Sequence, residues 1–510
     1  MSVHQESKRV RRVSPTTTAG PFGPLVDPVL PRLAAALDPA AMARRFAKGF
    51  AERARGPAPR VGACEVEEVY HRSGRHCGIL YRLRLEGAHG AEHDEWLYAR
   101  MLPGELVRER YAKALDGVVA AGASALVSTA LDPVSLWEDL DVIVWAFPND
   151  PKLPGLRAMA DAARVRGQLE RQRGGTGRAA NGNGDGPGDG DESLVIERVK
   201  YMPTKRCVLR YRLAPEPGSE GPRPPAVYYA KAYPVGASAA PFQLQRAVRE
   251  RLSESGAAVE IAEPLVHIPE ESVIWFADWG GFGIIGEAAE RGWDAMADRA
   301  ATALAAFHRV SISGLPEHRR PADELVEARE DAAKYAARVG EAARPVLDML
   351  TRLERELPRT GDRPAVSLHG AFRAEHVHVR GTDAALLDLD GMASGDPLVD
   401  VAEFVASLEF LALRSTAGPI DSEAVSQRFL EAYAAAVPWT IDGASLGWYA
   451  RTSLLRKLHG AVKRLARPTL DRLEAHGADL VERWNGIAAW APRPRARWVG
   501  ARARAVGAGS

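Results

Sequence analysis

"LHGAFRAEHVHVR", residues 368–380, and "LLDLDGMASGDPLVDVAEF", residues 386–404, crowd three histidines and four aspartates into one short span. The apolar run Ala384–Leu387 reads as a strand and would hold Asp388 at its end. "GDP" is a turn signal. Asp396 is placed to cap a helix that starts near Pro397, and Asp400 falls in that helix's first turn. Helical patterns flank the motifs: "WDAMADRAATALAAFHRV" at 293–310, a stretch through 323–357, and the region 398–490. The polar motifs are therefore expected on a short β-hairpin inside a mostly helical region.

Upstream of residue 285 the pattern changes to β-rich, and it repeats. "VYHRSGRHCGILYRL", 69–83, matches "VKYMPTKRCVLRYRL", 199–213, with Val69, Cys77, Tyr81, Arg82 and Leu83 recurring as Val199, Cys207, Tyr211, Arg212 and Leu213. "WLYAR", 96–100, recurs as "VYYAK", 227–231, and "VIVW", 142–145, as "SVIW", 272–275. Each copy reads as a hairpin of alternating strands, an Ala-rich amphipathic helix (107–123 and 241–255), and two closing strands. A small α+β module present twice is expected. The span 173–192 between the copies has almost no large apolar side chain and reads as a flexible linker.

The chain has 510 residues, 46% hydrophobic and 26% charged, with a formal net charge of +1. That length calls for more than one domain, and the charge balance offers no global field for nucleic acid. Basic runs sit at the ends: "KRVRR" at 8–12, and Arg493, Arg495, Arg497, Arg502 and Arg504 in the tail. They read as solvated tails. Three cysteines make no disulfide framework and no zinc spacing. The N-terminus lacks an apolar targeting core, and no long apolar window suggests a membrane span. A cytoplasmic protein with neither nucleic-acid nor membrane partners is expected.

A β-rich lobe with "YYAKAY", then a helical lobe with "HG-x-F", "LLDLD" and "GDPLVDVA", resembles the aminoglycoside phosphotransferase and choline kinase-like family, over about residues 195–490. "ATALAAFHR", 301–309, is similar to that family's Ala/Leu helix ending in Leu-His. The resemblance implies an α+β, protein-kinase-like bilobal fold, here preceded by a duplicated N-lobe-like module. The expected boundaries are a tail and helix at 1–59, a first module at 60–165, a Gly-rich linker at 166–194, a kinase-like N-lobe at 195–285, a helical C-lobe at 286–490, and a basic tail at 491–510.

It also implies ATP and Mg²⁺ as cofactors and a small hydroxylated acceptor. Lys231 matches the phosphate-contacting strand lysine, and Asp388 the metal-binding aspartate, with Asp390 in support. His369 and Gly370 match the loop's "HG". The pattern is broken at the next position: Ala371 stands where the family has its catalytic Asp, and His376 where it has a metal-binding Asn. Alanine can neither accept nor orient a proton, and Mg²⁺ prefers oxygen to nitrogen. Glu375 is the nearest carboxylate that could replace the base. In the family, Asp396 and Asp400 are largely structural.

Three functions follow. The first is a pseudokinase-type protein that keeps nucleotide binding for regulation, with a protein partner. The second is an active phosphotransferase with a relocated base. The third is a transition-metal site built from His369, His376, His378 and Asp388, because His376 and His378 would share a face if both lay on one strand.

Overall fold

Two five-stranded antiparallel sheets with the same strand order dominate the N-terminal half of the computed structural model. It describes residues 26–53, 58–86, 92–120, 132–174, 192–215, 226–359, 361, 363–415, 418–465 and 467–486. The first unit runs through α1 (Leu33–Ala36), α2 (Pro39–Arg53), β1 (Arg60–Arg72), β2 (His76–Glu86), β3 (Glu92–Met101), α3 (Gly104–Ala120), β4 (Val134–Trp137) and β5 (Val142–Ala146). The second runs through α4 (Leu156–Ala160), α5 (Ala162–Gly174), β6 (Glu192–Met202), β7 (Arg206–Pro215), β8 (Ala226–Ala232), α6 (Ala239–Ser255), β9 (Glu260–Ile261), β10 (Pro264–Ile268) and β11 (Val273–Ala277). The sheets are ordered β1-β2-β3-β5-β4 and β6-β7-β8-β11-β10.

The registers correspond as well. Arg100 lies between Gly78 and Ile143, and Lys231 between Val208 and Ile274. Both β4–β5 and β10–β11 pass through a 3-10 turn that ends in a left-handed residue, Asp141 (φ 55°) or Ser272 (φ 53°).

Both first hairpins turn in three residues with a left-handed middle one, Gly74 (φ 68°) or Thr204 (φ 64°). An aspartate from far upstream ties each turn down. Asp27 Oδ2 accepts from Gly74 N at 2.9 Å and contacts His71 Nε2 at 2.9 Å. Asp150 Oδ2 accepts from Thr204 N at 2.8 Å and from the Tyr201 hydroxyl at 2.9 Å. Tyr81 and Tyr211 donate to Ala36 O and Met159 O, at 2.6 and 2.9 Å.

The segments that supply these partners also match: "DPVLPRLAAALD", 27–38, and "DPKLPGLRAMAD", 150–161. This corrects the expected boundaries. Residues 26–53, expected as part of an N-terminal tail and helix, share a core with the first sheet: Leu30, Leu33, Phe46 and Phe50 cluster with Cys77, Ile79, Tyr81 and Leu83. Residues 150–174 belong to the second unit, where Leu153, Leu156, Met159 and Leu169 cover Cys207, Leu209 and Tyr211. Alternation along β2 and β7 places those side chains on one face. Gly155 lets α4 approach β10–β11, since a Cβ there would lie 2.3 Å from Glu271 O.

The proposed linker 166–194 is entered by α5 and β6 from its two sides. Its remainder, with most of 173–192, lies outside the described residues, as do 1–25 and the basic tail from 487 on.

The C-terminal half continues with β12 (Phe282–Gly283), α7 (Ile284–Arg291), α8 (Trp293–His308), α9 (Pro321–Val339) and α10 (Arg344–Arg355). The single helical stretch expected at 323–357 is therefore broken at Gly340. Then come β13 (Val366–Leu368), β14 (Val377–Arg380), β15 (Asp383–Leu386), β16 (Ala393–Gly395), α11 (Leu398–Arg414), α12 (Ser422–Ala436), α13 (Gly443–Arg464) and α14 (Arg467–Gly486). The expected hairpin is β14–β15. It is flanked by β12 and, in parallel, by β9 of the second unit, which sets the polar motifs directly under the second sheet. No helix among the described residues is long and apolar enough to cross a membrane.

Asp150 is buried, and removing its carboxylate strands the Thr204 amide and the Tyr201 hydroxyl. Asp150→Ala should cost roughly 2–4 kcal/mol, read as a lowered urea midpoint, and should speed hydrogen exchange at the 202–206 turn. An unchanged midpoint would show that the lock carries no stability.

Candidate functional site

Four charged side chains from two halves of the chain meet in one cluster. Alternation along β8 turns Lys231 and the following Tyr233 to the same side, and Arg206 reaches in from the first residue of β7. Lys231 Nζ lies 2.9 Å from Asp388 Oδ1 and 2.6 Å from Asp390 Oδ2. Arg206 spans both Asp388 oxygens at 3.1 Å and reaches Asp390 at 3.5 Å. The Tyr233 hydroxyl donates to Asp390 Oδ1 at 3.0 Å.

Asp388 sits just beyond β15 in a left-handed conformation (φ 63°), which aims its carboxylate at the sheet. Burial alone would raise its pKa, but Lys231 and then Arg206 overcome this and hold the carboxyl well below the usual carboxylate range.

Asp400, in the first turn of α11, fixes the neighbouring loop. Its buried carboxylate accepts from His369 N at 2.6 Å and Gly370 N at 2.9 Å, and contacts His308 Nε2 at 3.1 Å. Gly370 (φ 76°) admits no side chain, since a Cβ would lie 1.8 Å from Gly391 O. Asp396 accepts from Leu398 N and pairs with Arg363. Both aspartates therefore hold structure, as their turn positions suggest.

His369 Nε2 donates to Leu387 O at 2.9 Å, tying this loop to the one that bears Asp388. Burial lowers its pKa, so the ring is neutral. Its position makes it a peg between loops rather than a group facing the cluster.

Ala371 offers only its backbone, and the carbonyl takes up His376. His376 Nδ1 lies 2.9 Å from Ala371 O and must donate, because a carbonyl only accepts. Burial, with Arg373 and His369 behind it, pushes the His376 pKa down to about 3. The ring is therefore neutral, and Nε2 carries a lone pair 3.7 Å from Asp388 Oδ2.

Two expectations are corrected. Glu375 is exposed and lies 3.5 Å from Arg414, so its carboxylate is engaged away from the cluster. His376 ends a 3-10 turn, Ala374–His376, while His378 lies in β14 opposite Gly283. The two do not share a strand face, and His378 stays outside the cluster. Among the described residues no three His, Cys, Asp or Glu side chains converge to hold a metal.

Arg206 and Tyr233 were missed by sequence reasoning. Arg206 was visible as the residue that closes the repeated hairpin turn. Tyr233 was visible as the second Tyr of "YYAKAY" on the lysine's side of the strand.

Residues 220–444 match the profile of the phosphotransferase enzyme family. Over this stretch, somewhat less than half of the chain, the sequence is similar to that family. The matched stretch spans a second sheet over a helical lobe, with the charged cluster between them.

Similar solved structures include an aminoglycoside phosphotransferase from Streptomyces rimosus, 21% identical over 52% of this chain and 93% of that one, with a TM-score of 0.33. A choline/ethanolamine kinase family protein from Mesorhizobium loti is 13% identical over 57% of this chain and 88% of that one, with a TM-score of 0.37. An amicoumacin kinase in complex with AMP-PNP, Ca²⁺ and Ami is 12% identical over 64% of this chain and 95% of that one, with a TM-score of 0.40. No curated protein matches the sequence.

The depressed His376 pKa has a signed consequence. Between its ordinary value of 6.5 and about 3, the unfolded chain binds a proton that the folded one refuses, so stability falls as pH drops through that window. His376→Asn should flatten the decline of the urea midpoint between pH 7 and pH 5. An identical slope in the variant would refute the buried neutral ring.

Proposed function

We propose that this chain binds a nucleoside triphosphate with a divalent cation between its second sheet and the β14–β15 hairpin, and that it is a pseudokinase-type phosphotransferase relative with slow or absent turnover. The observation that carries this is the assembled Lys231–Arg206–Asp388–Asp390 cluster beside a loop whose proton-accepting position is Ala371.

The residues fit the group. Mg²⁺ is ordinarily held by one or two carboxylates together with substrate phosphates, and Asp388 and Asp390 lie side by side on Lys231. When bound, the cation would supply neutralisation of phosphate charge. Lys231 and Arg206, now engaged by the carboxylates, would bind and orient the phosphate oxygens. The buried Asp400 would keep the 369–371 loop in register beneath them. His376 presents a nitrogen lone pair toward Asp388, and imidazole suits Zn²⁺ better than Mg²⁺. The site should therefore favour the softer ions.

An active phosphotransferase on a small hydroxylated substrate is the second reading. It draws on phosphoryl transfer's dependence on positioning more than on a base. The Glu375–Arg414 contact weakens the version with a relocated base.

Thermal-shift titration should show stabilisation by ATP with Mg²⁺, and more with Zn²⁺. Lys231→Ala and Asp388→Ala should abolish it. The pair Ala371→Asp with His376→Asn should raise ATP consumption by roughly 10²–10⁴-fold. Wild-type turnover on the order of 1–100 s⁻¹ with a small hydroxylated acceptor would overturn the pseudokinase reading in favour of the second.

A further inference from the structure

Beside the charged cluster lies a second concentration of charge, and it is all of one sign. The β1–β2 turn brings Arg72, the end of β6 and its turn bring Lys200 and Lys205, and the last turn of α13 brings Lys463 and Arg464. Helix α13 packs on β1, and Lys205 Nζ sits 5.4 Å from the centre of the Tyr70 ring. All but the half-buried Lys463 are exposed. Among the described residues none of the five forms an ion pair.

The nearby acids are already engaged. Glu68 accepts from the Tyr70 hydroxyl at 2.6 Å, Asp331 pairs with His459 at 2.7 Å, and Asp388 is held by Lys231 and Arg206. The cations feel one another. Burial and then Lys463, Arg464, Arg72 and Arg206 lower the Lys205 pKa, and Lys463 is lowered by burial and then by Arg72.

A bland account covers part of this. Lys463 and Arg464 complement the negative end of the α13 dipole. That account leaves out Arg72, Lys200 and Lys205, which come from sheet turns in two different units and gain nothing from the helix. Nor is the patch separate from the nucleotide cleft. Lys205 and Arg206 are consecutive, one in the patch and the other on Asp388. Lys200 lies within the field of Arg206, Asp388 and the loop residue Arg373. An anion seated here would lie next to the proposed phosphate site.

We propose that the second ligand of this cleft is a small molecule that carries its own phosphate group, held by Lys200, Lys205, Arg72, Lys463 and Arg464. The assignment deepens the proposed function and rests on it for the neighbouring nucleotide. It also has a negative side. A polyamine such as an aminoglycoside is a cation at neutral pH, and this wall would repel it. Confinement to five side chains at one end of the cleft favours a small ligand over nucleic acid, which engages longer basic tracks.

The test uses the full chain saturated with ADP and Mg²⁺, titrated calorimetrically with inorganic phosphate, glucose 6-phosphate, glucose, kanamycin and a short single-stranded oligonucleotide. Inorganic phosphate and glucose 6-phosphate should bind, while glucose and kanamycin should not. Lys205→Ala and Arg464→Ala should each weaken the phosphate compounds on the order of tenfold, leave ADP affinity unchanged, and keep the wild-type circular dichroism. Lys205→Arg should restore binding. Equal binding of glucose, indifference to both variants, or binding of the oligonucleotide alone would overturn the proposal. If ADP itself fails to bind, the nucleotide reading falls, and the same titration without nucleotide still decides the patch.

Discussion

The contact between Lys231 and the two carboxylates of Asp388 and Asp390 is the constraint on which the rest of the molecule depends. It joins a sheet to a hairpin more than 150 residues further along the chain. Each partner alone would be an expensive, poorly solvated charge. Together, with Arg206 and Tyr233 closing the arrangement, they fix the height of the second sheet above the β14–β15 hairpin. The parallel pairing of β15 with β9 sets the lateral position. Both charge signs meet at this junction, with the cations of the second sheet on the carboxylates of the hairpin loop.

The loop beside this contact keeps its shape without help from the side chain at position 371. Asp400 anchors the loop through backbone amides, and Gly370 gives the close approach to Gly391. Neither device uses the side chain at position 371. Alanine can therefore occupy that position without disturbing the loop, and His376 fills the space by bonding to its carbonyl. Shape and reactivity are separately encoded here. That separation is why an intact "HG" and an intact "LLDLD" do not by themselves guarantee catalysis.

The first unit repeats the plan of the second down to the aspartate that locks its hairpin turn, yet it puts Arg100 where the second has Lys231. Among the described residues Arg100 pairs with no carboxylate, and the helical lobe follows only the second unit. The first unit instead packs its Leu80 and Trp96 against the second unit's core, and Arg198 stacks over Trp96 while pairing with Glu67. It also brings Arg72 near Lys205 of the second unit and Lys463 of α13.

The sequence by itself determined the local elements and the loop register. Alternation marked the paired strands, "LLDLD" placed Asp388 at a strand end, and "GDP" announced the α11 cap, because these signals act through neighbours in the chain. It also contained the repeat of "DPVLPRLAAALD" in "DPKLPGLRAMAD", though that became readable only once Asp27 and Asp150 were seen bonding to hairpin turns far downstream. Tertiary structure alone decided the rest. Arg206 joined the site because a hairpin turn happens to overhang Asp388. Glu375 left it because a 3-10 turn points it at Arg414, and that same turn parts His376 from His378. These outcomes depend on where distant elements pack, and residue type and spacing carry no record of that.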